Sequence, residues 1–326
     1  MTESGGQAQA IWLKETAYAD TTTGSAKSFG NDLKISNFTR KNNAQVLYGI
    51  NNQQGQVIVP LQYEGSFTAD FVLSDPWIFY YILGNDPSTT GSGPYVHKFL
   101  DTAATPVFAS KVGSINVAIG QDRTTDNDIN CKGAVMKSTT FDMTVNEPVK
   151  VTSEFEFATD NSDTTLASNV NPTDAPFNFA HASLEFPTST TITDAIQNLN
   201  LTINRNTTIL RGLGSRIGQA FYNGKAEYDL KMDIPQEGAT WQELLYGTGS
   251  ATTPAGNITE QAGLKIILDN GEATTANRKI ELEFLGSIVD EIGMPLDVNE
   301  LISESINFKV RAWKTCICTN NTATMP

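Results

Sequence analysis

The sequence predicts a mainly β protein, built as two tandem antiparallel β-sandwich or barrel-forming units, each with one short α-helix. Three observations carry that expectation. In Tyr222-Asn-Gly-Lys-Ala-Glu-Tyr-Asp-Leu-Lys-Met-Asp233, the residues Ala226, Tyr228, Leu230 and Met232 alternate with Lys225, Glu227, Asp229, Lys231 and Asp233. That period of two buries one face of a strand and wets the other. Tyr63-Glu-Gly-Ser-Phe-Thr-Ala-Asp-Phe-Val-Leu-Ser74 repeats the device. Aligned on Tyr-x-Gly, its Phe67, Ala69, Phe71 and Leu73 fall on the apolar positions of the second stretch, and Asp70 falls on Asp229. A one-residue slip would exchange the faces, so the shared phase is informative. A short Trp-bearing helix and a glycine follow each strand. Asp75-Pro-Trp-Ile-Phe-Tyr-Tyr-Ile-Leu-Gly84 offers an N-cap Asp and Pro at the first helical position; Thr240-Trp-Gln-Glu-Leu-Leu-Tyr-Gly247 offers Thr240 and Glu243 as a capping box. Strand, helix, glycine, twice over, reads as an internal duplication.

The remaining elements follow in order. Residues 1–30 are polar apart from the knot Ile11-Trp12-Leu13 and read as a flexible arm that anchors on its own domain or a neighbour. A first unit spans 31–160. Leu33 and Ile35 open its first strand; Asn42 to Gln56 reads as a polar loop or hairpin, and Gln56 to Leu61 as a sheet extension. Thr140–Val145 and Val149–Phe157 alternate around Asn146-Glu-Pro148, the pattern of an antiparallel hairpin. Residues 161–176 hold almost nothing to bury and are placed as the linker. A second unit spans 177–326. Leu199, Leu201 and Ile203 face inward on its first strand, and a glycine-rich connection carrying Arg211 and Arg216 suits a loop that settles against a partner. Strands at Leu264–Leu268 and Arg278–Leu285 flank Asp269-Asn-Gly271, and Ser303–Trp313 is a long final strand. Trp77 and Trp241, among apolar neighbours, read as core.

Composition narrows the function. The 326 residues suit about two domains. Net charge is −14 with no basic run, the opposite of what phosphate neutralisation needs. The three cysteines, Cys131, Cys316 and Cys318, form no disulfide framework. Cys316 and Cys318 are too close in sequence for the usual zinc pair, with only His97 and His181 to complete a site, so no metal or other cofactor is expected. No basic-then-apolar leader and no membrane-length apolar run is present, so the expected product is soluble, made in a cytoplasm and free of membrane. No hydrolase elbow, zincin motif or phosphate loop appears. The same-face carboxylate pairs Glu154/Glu156 and Glu281/Glu283 have a glycosidase-like spacing of about 7 Å, but on the wet faces of ordinary strands. No catalytic residue is assigned.

What remains is the polar strand face. Lys225, Glu227, Asp229, Lys231, Asp233, Asp70, Glu154, Glu156, Glu281 and Glu283 are its candidate functional positions, suited to line a water-filled channel or simply to face bulk water. The order of parts resembles the major tail tube proteins of long-tailed, siphovirus-like bacteriophages and related archaeal viruses, in their duplicated-domain form. The resemblance rests on Tyr63-x-Gly65 through Gly84 with Tyr95-Val-His97, on Cys131 through Met143, and on Gln197 through Ile203 to Leu245-Tyr-Gly247. It implies a virion structural subunit, not an enzyme. Such subunits would form trimeric rings of pseudo-sixfold symmetry that stack into a hollow tube. The implied partners are further copies of the chain, a tape-measure protein, tail tip and terminator proteins, and double-stranded DNA that passes through without specific binding. A carbohydrate-binding β-sandwich module or adhesin is the alternative; it would need exposed aromatics or a calcium cage, and neither is evident.

Overall fold

Alternation of apolar and polar residues dominates the sequence, and the computed structural model turns it into strands almost throughout. It describes residues 8–50, 54–101, 113–121, 128–163, 170–187, 189–192, 194–236, 238–261, 263–272, 276–294 and 303–323. The first half contains β1 (Ala8–Glu15), β2 (Thr22–Ser28), β3 (Asn31–Lys41), β4 (Gln45–Tyr48), β5 (Gly55–Val59) and β6 (Glu64–Val72). A 3₁₀ turn at Pro76–Ile78 leads into α1 (Phe79–Leu83). Then come β7 (Ser88–Thr90), β8 (Tyr95–Asp101), β9 (Ile115–Gln121), β10 (Asp128–Thr144), β11 (Lys150–Phe157) and β12 (Thr159–Asp163). The second half contains β13 (Ala182–Glu185), β14 (Asn198–Asn204), β15 (Thr207–Leu210), β16 (Ala220–Asn223), β17 (Glu227–Pro235), α2 (Thr240–Tyr246), β18 (Leu264–Asp269), β19 (Lys279–Gly293) and β20 (Ser303–Asn320).

All pairings are antiparallel. The main sheet runs β3-β6-β11-β10 and continues without a break as β14-β17-β20-β19, then β18 and β13. The junction is the β10·β14 ladder, in register from Ser138↔Asn204 to Thr144↔Asn198. The long strands β10 and β19 join four ladders and two ladders respectively. The C-terminal part of β10 pairs with β11 and β14, and its N-terminal part with β9 and β12. β19 pairs with β20 along its length and with β18 only up to Phe284. Each changes direction at a glycine with positive φ, Gly133 (65°) and Gly286 (63°), a conformation an L side chain rarely adopts.

The core lies between the main sheet and these outer ladders, and α1 sits inside it. Every residue from Phe79 to Leu83 is buried. Phe79 stacks on Phe141 of the main sheet and meets Trp313 and Phe99 edge-on or tilted; Tyr81 meets Trp12, Phe29 and Phe155. One apolar row crosses the sheet as Phe71, Val151, Phe141, Leu201, Leu230, Phe308 and Val289, all buried. Trp77 and Trp241 are core, as expected, and so are the three cysteines, none of them paired.

Several local expectations change. The segment read as an N-terminal arm forms β1 and β2 from residue 8 onward; its knot docks on the chain's own core, one of the two expected anchorages, with Ile11 and Trp12 fully buried. Among the described residues Gln56–Leu61 does not extend the sheet: β5 pairs there with β4 alone, as a separate ribbon. The capping box fails because Ala239, not Thr240, is the N-cap of α2, and Glu243 accepts instead from the Ser250 amide at 2.7 Å. Asp75 does stand at its N-cap position, but its carboxylate caps nothing there. It accepts from the Thr173 amide and hydroxyl and the Asp174 amide at 2.9–3.2 Å, which pins the end of the linker segment to the first half.

Burial holds the Asp75 carboxyl above its ordinary value, against the pull of the Thr173 and Asp174 bonds. A carboxyl raised in this way binds its proton more tightly folded than unfolded. Its contribution to stability is greatest when protonated and is lost as pH rises from the ordinary carboxylate range through the raised value. Asp75→Asn carries no such charge, so its urea midpoint should gain on the parent's as pH goes from about 4 to about 7. A pH-independent difference between the two would contradict this account.

Candidate functional site

The side of the main sheet opposite the core is one uninterrupted polar face. Four cross-strand rows define it. The first is Thr68, Glu154, Ser138, Asn204 and Glu227. The second is Lys34, Asp70, Thr152, Thr140, Thr202, Asp229 and Lys309. The third is Lys150, Asp142, Asn200, Lys231 and Asn307, and the fourth is Thr144, Asn198, Asp233 and Ser305. The alternation of each strand makes the face, and the registers align it across both halves.

Short side chains on this face bond across the ladders. Asp70 accepts from Ser36 (3.1 Å) and Thr152 (2.8 Å), Thr140 meets Thr202 (3.1 Å), and Asn198 donates to Asp233 (3.3 Å). Several of the charges are paired. Lys309 bonds Asp229, Lys231 lies 3.7 Å from Asp233, Lys225 3.3 Å from Glu227, and Lys137 2.9 Å from Glu156, while Ser138 donates to Glu154. The bond to Asp229 raises the Lys309 amine above its ordinary value, so the amine stays charged through neutral pH. Such exposed pairs add about 0–1 kcal/mol each to stability; their consequence is a wall with acid and base interleaved.

Of the candidate positions, Asp70, Glu154, Glu156, Glu227, Asp229, Lys231 and Asp233 come together here, with Lys225 just ahead of β17. Glu281 and Glu283 do not. They lie on the other side of Gly286, in the part of β19 that pairs with β18. There Lys265 (2.8 Å) and Lys279 (3.0 Å) hold Glu281, and Lys314 (2.7 Å) holds Glu283. Burial would raise the Glu281 carboxyl, but the two lysines outweigh it and hold it below its ordinary value. The residues at the centre of the face that sequence reasoning passed over are Ser138, Thr140, Asn198, Asn200, Thr202 and Asn204. Their signal was present as the outward alternates of Leu199, Leu201 and Ile203. No cluster of His, Cys, Asp and Glu suited to a metal occurs among the described residues.

A family model described as phage tail tube protein matches residues 5–310, nearly the whole chain. The chain belongs to the phage tail tube protein family. No individual curated protein matches it. Family membership makes this tail tube protein a structural component of a virion and argues for a non-enzymatic role. It also agrees with a mainly β chain. No helix of the tail tube protein, among its described residues, is long and apolar enough to cross a membrane.

Proposed function

We propose that three copies of this tail tube protein close into a ring of pseudo-sixfold symmetry, that rings stack into a hollow tube, and that the polar face lines the lumen. The observation that carries this reading is the repeated strand order. β3-β6-β11-β10 is followed by β14-β17-β20-β19 in the same sequence of roles, with a helix after the second strand of each set and a positive-φ glycine in the last. The chain is thus read as two units, residues 31–160 and 177–326, joined through 161–176, with residues 1–30 as an arm belonging to the first. β10·β14 is the joint between units within a chain. The same joint between chains would use the outer edge of β3 and the β19 edge beyond Ser287, neither of which has a strand partner among the described residues. Bare edges of this length invite aggregation unless a defined partner takes them, and a closed ring removes them.

The lumen positions are then Asp70, Glu154, Glu156, Lys225, Glu227, Asp229, Lys231 and Asp233, with Glu281 and Glu283 on the outer ladder. An ion-paired wall offers passing double-stranded DNA no basic patch to grip. A tape-measure protein would occupy the bore before DNA does, and tip and terminator proteins would bound the tube. Synthesis is assigned to the host cytoplasm and residence to the virion. Negative-stain microscopy of concentrated protein should reveal rings or hollow tubes. Protein that stays monomeric at every concentration would overturn the ring.

A further inference from the structure

Each half of the chain inserts a hairpin between the first two strands of its sheet: β4–β5 between β3 and β6, and β15–β16 between β14 and β17. The two are supported very differently. The inner face of β15–β16 is covered by the chain's own first half. Ile209 and Thr207 are buried, the Thr207 hydroxyl donates to the Met136 carbonyl at 2.8 Å, and the Phe221 ring lies 5.1 Å from that of Tyr18. Its connecting loop reaches the base of the other hairpin. Arg216 donates to the Leu61 carbonyl (2.8 Å), Arg211 to the Tyr63 carbonyl (3.1 Å), and the Tyr63 amide to the Arg216 carbonyl (2.8 Å).

Among the described residues β4–β5 has no such support. All four residues of β4 and all but the last of β5 are exposed. Both faces are nevertheless apolar: Val46 pairs with Ile58 on one, and Leu47 with Val57 on the other. An isolated two-stranded ribbon is marginal in water, and an apolar one signals a missing partner. The corresponding vacancy exists on the second half. Tyr63-Glu-Gly65 and Tyr222-Asn-Gly224 mark the bases of the two hairpins; Tyr63 is half-buried against the loop that joins β15 to β16, whereas Tyr222 is 62% exposed, with Leu210 on the same face 50% exposed.

We infer that β4–β5 lies over the base of β15–β16 of a second copy of this chain in the same ring, as β15–β16 lies over the base of β4–β5 in its own. The hairpins then form a continuous overlapping collar on one rim, in which every hairpin braces the next. This rests on the ring proposed above. Its occupant is fixed by the internal precedent: the covered base in one half predicts the cover for the open base in the other.

The native thiols are all buried, so cysteines placed on the surface can be addressed alone. Val57→Cys chains and Tyr222→Cys chains, both altered at exposed positions, would be assembled into mixed single rings and treated with a short bis-maleimide. The expected result is a covalent two-chain product that goes from absent, with either variant alone, to the major species in the mixture. Mixed rings without that product would overturn the collar and leave the ring standing. So would a product formed only after rings stack, which would seat the hairpin on another ring, or one formed equally by Val57→Cys alone. Absence of rings under all conditions would overturn both readings together.

Discussion

Ile35→Asp should leave a folded monomer that cannot close a ring. On β14, the strand that holds the corresponding place in the second half, Leu199, Leu201 and Ile203 are all at most 2% exposed, because neighbouring strands flank them on both sides. On β3, Leu33, Ile35 and Phe38 are only partly buried, packed on the core from one side. Closing the β3 edge against β19 of a sister chain would complete their burial. An unpaired carboxylate carried into that joint costs several kcal/mol, and a ring of three copies meets the cost at three joints. In the monomer the side chain keeps its route to water, so the loss there is smaller. Mass photometry across a concentration series, with circular dichroism to confirm folding, reads both parts. Ile35→Val is the control and should still assemble. Rings persisting in Ile35→Asp would exclude this edge from the joint.

Phe141→Ala should destabilise the isolated chain by about 3–5 kcal/mol and should do so for both halves at once. Phe141 is 2% exposed and stacks on Phe79 at 6.0 Å between ring centres; its ladder neighbours are Val151 in the first half and Leu201 in the second. Because β10·β14 makes the two sheets one, the lost contacts belong to a core that both halves share. Trp12 and Trp77 report on the first half, and Trp241 and Trp313 on the second. Urea transitions followed through each pair, in chains keeping only that pair, should shift together. A first-half transition that moved alone would mean that the halves fold as separate bodies.

Much of this architecture could be read from the chain. The alternation of Glu227–Pro235 and of Glu64–Val72 gave strands with their faces the right way round, and the hairpin around Asn146-Glu-Pro148 is β10–β11. Period two fixes a face, but it does not say which ladder the strand joins. Glu281 and Glu283 alternate as cleanly as Asp229 and Lys231, yet the turn at Gly286 puts them in another ladder. β8 was equally hidden. It leaves the first half to pair with Thr315–Asn320 of β20, where His97 is fully buried between Thr89 and Asn320. No local pattern in Tyr95–Asp101 announces so distant a partner. The β4–β5 hairpin is legible only as one of two readings of Asn42–Gln56, and the β15–β16 hairpin reads as a loop; the side chains of Asp75 and Glu243 cap nothing because they bond Thr173 and Asp174, and Ser250, instead.

The three cysteines have a last consequence. Cys131 is inaccessible, and burial raises its thiol far above the usual range, with the nearby Asp160 charge acting in the same direction; Cys316 is raised as well, for want of solvent. Thiols held in that state are poor nucleophiles and slow to oxidise. A virion component built from this chain can therefore persist in aerated water with its three cysteines slow to change.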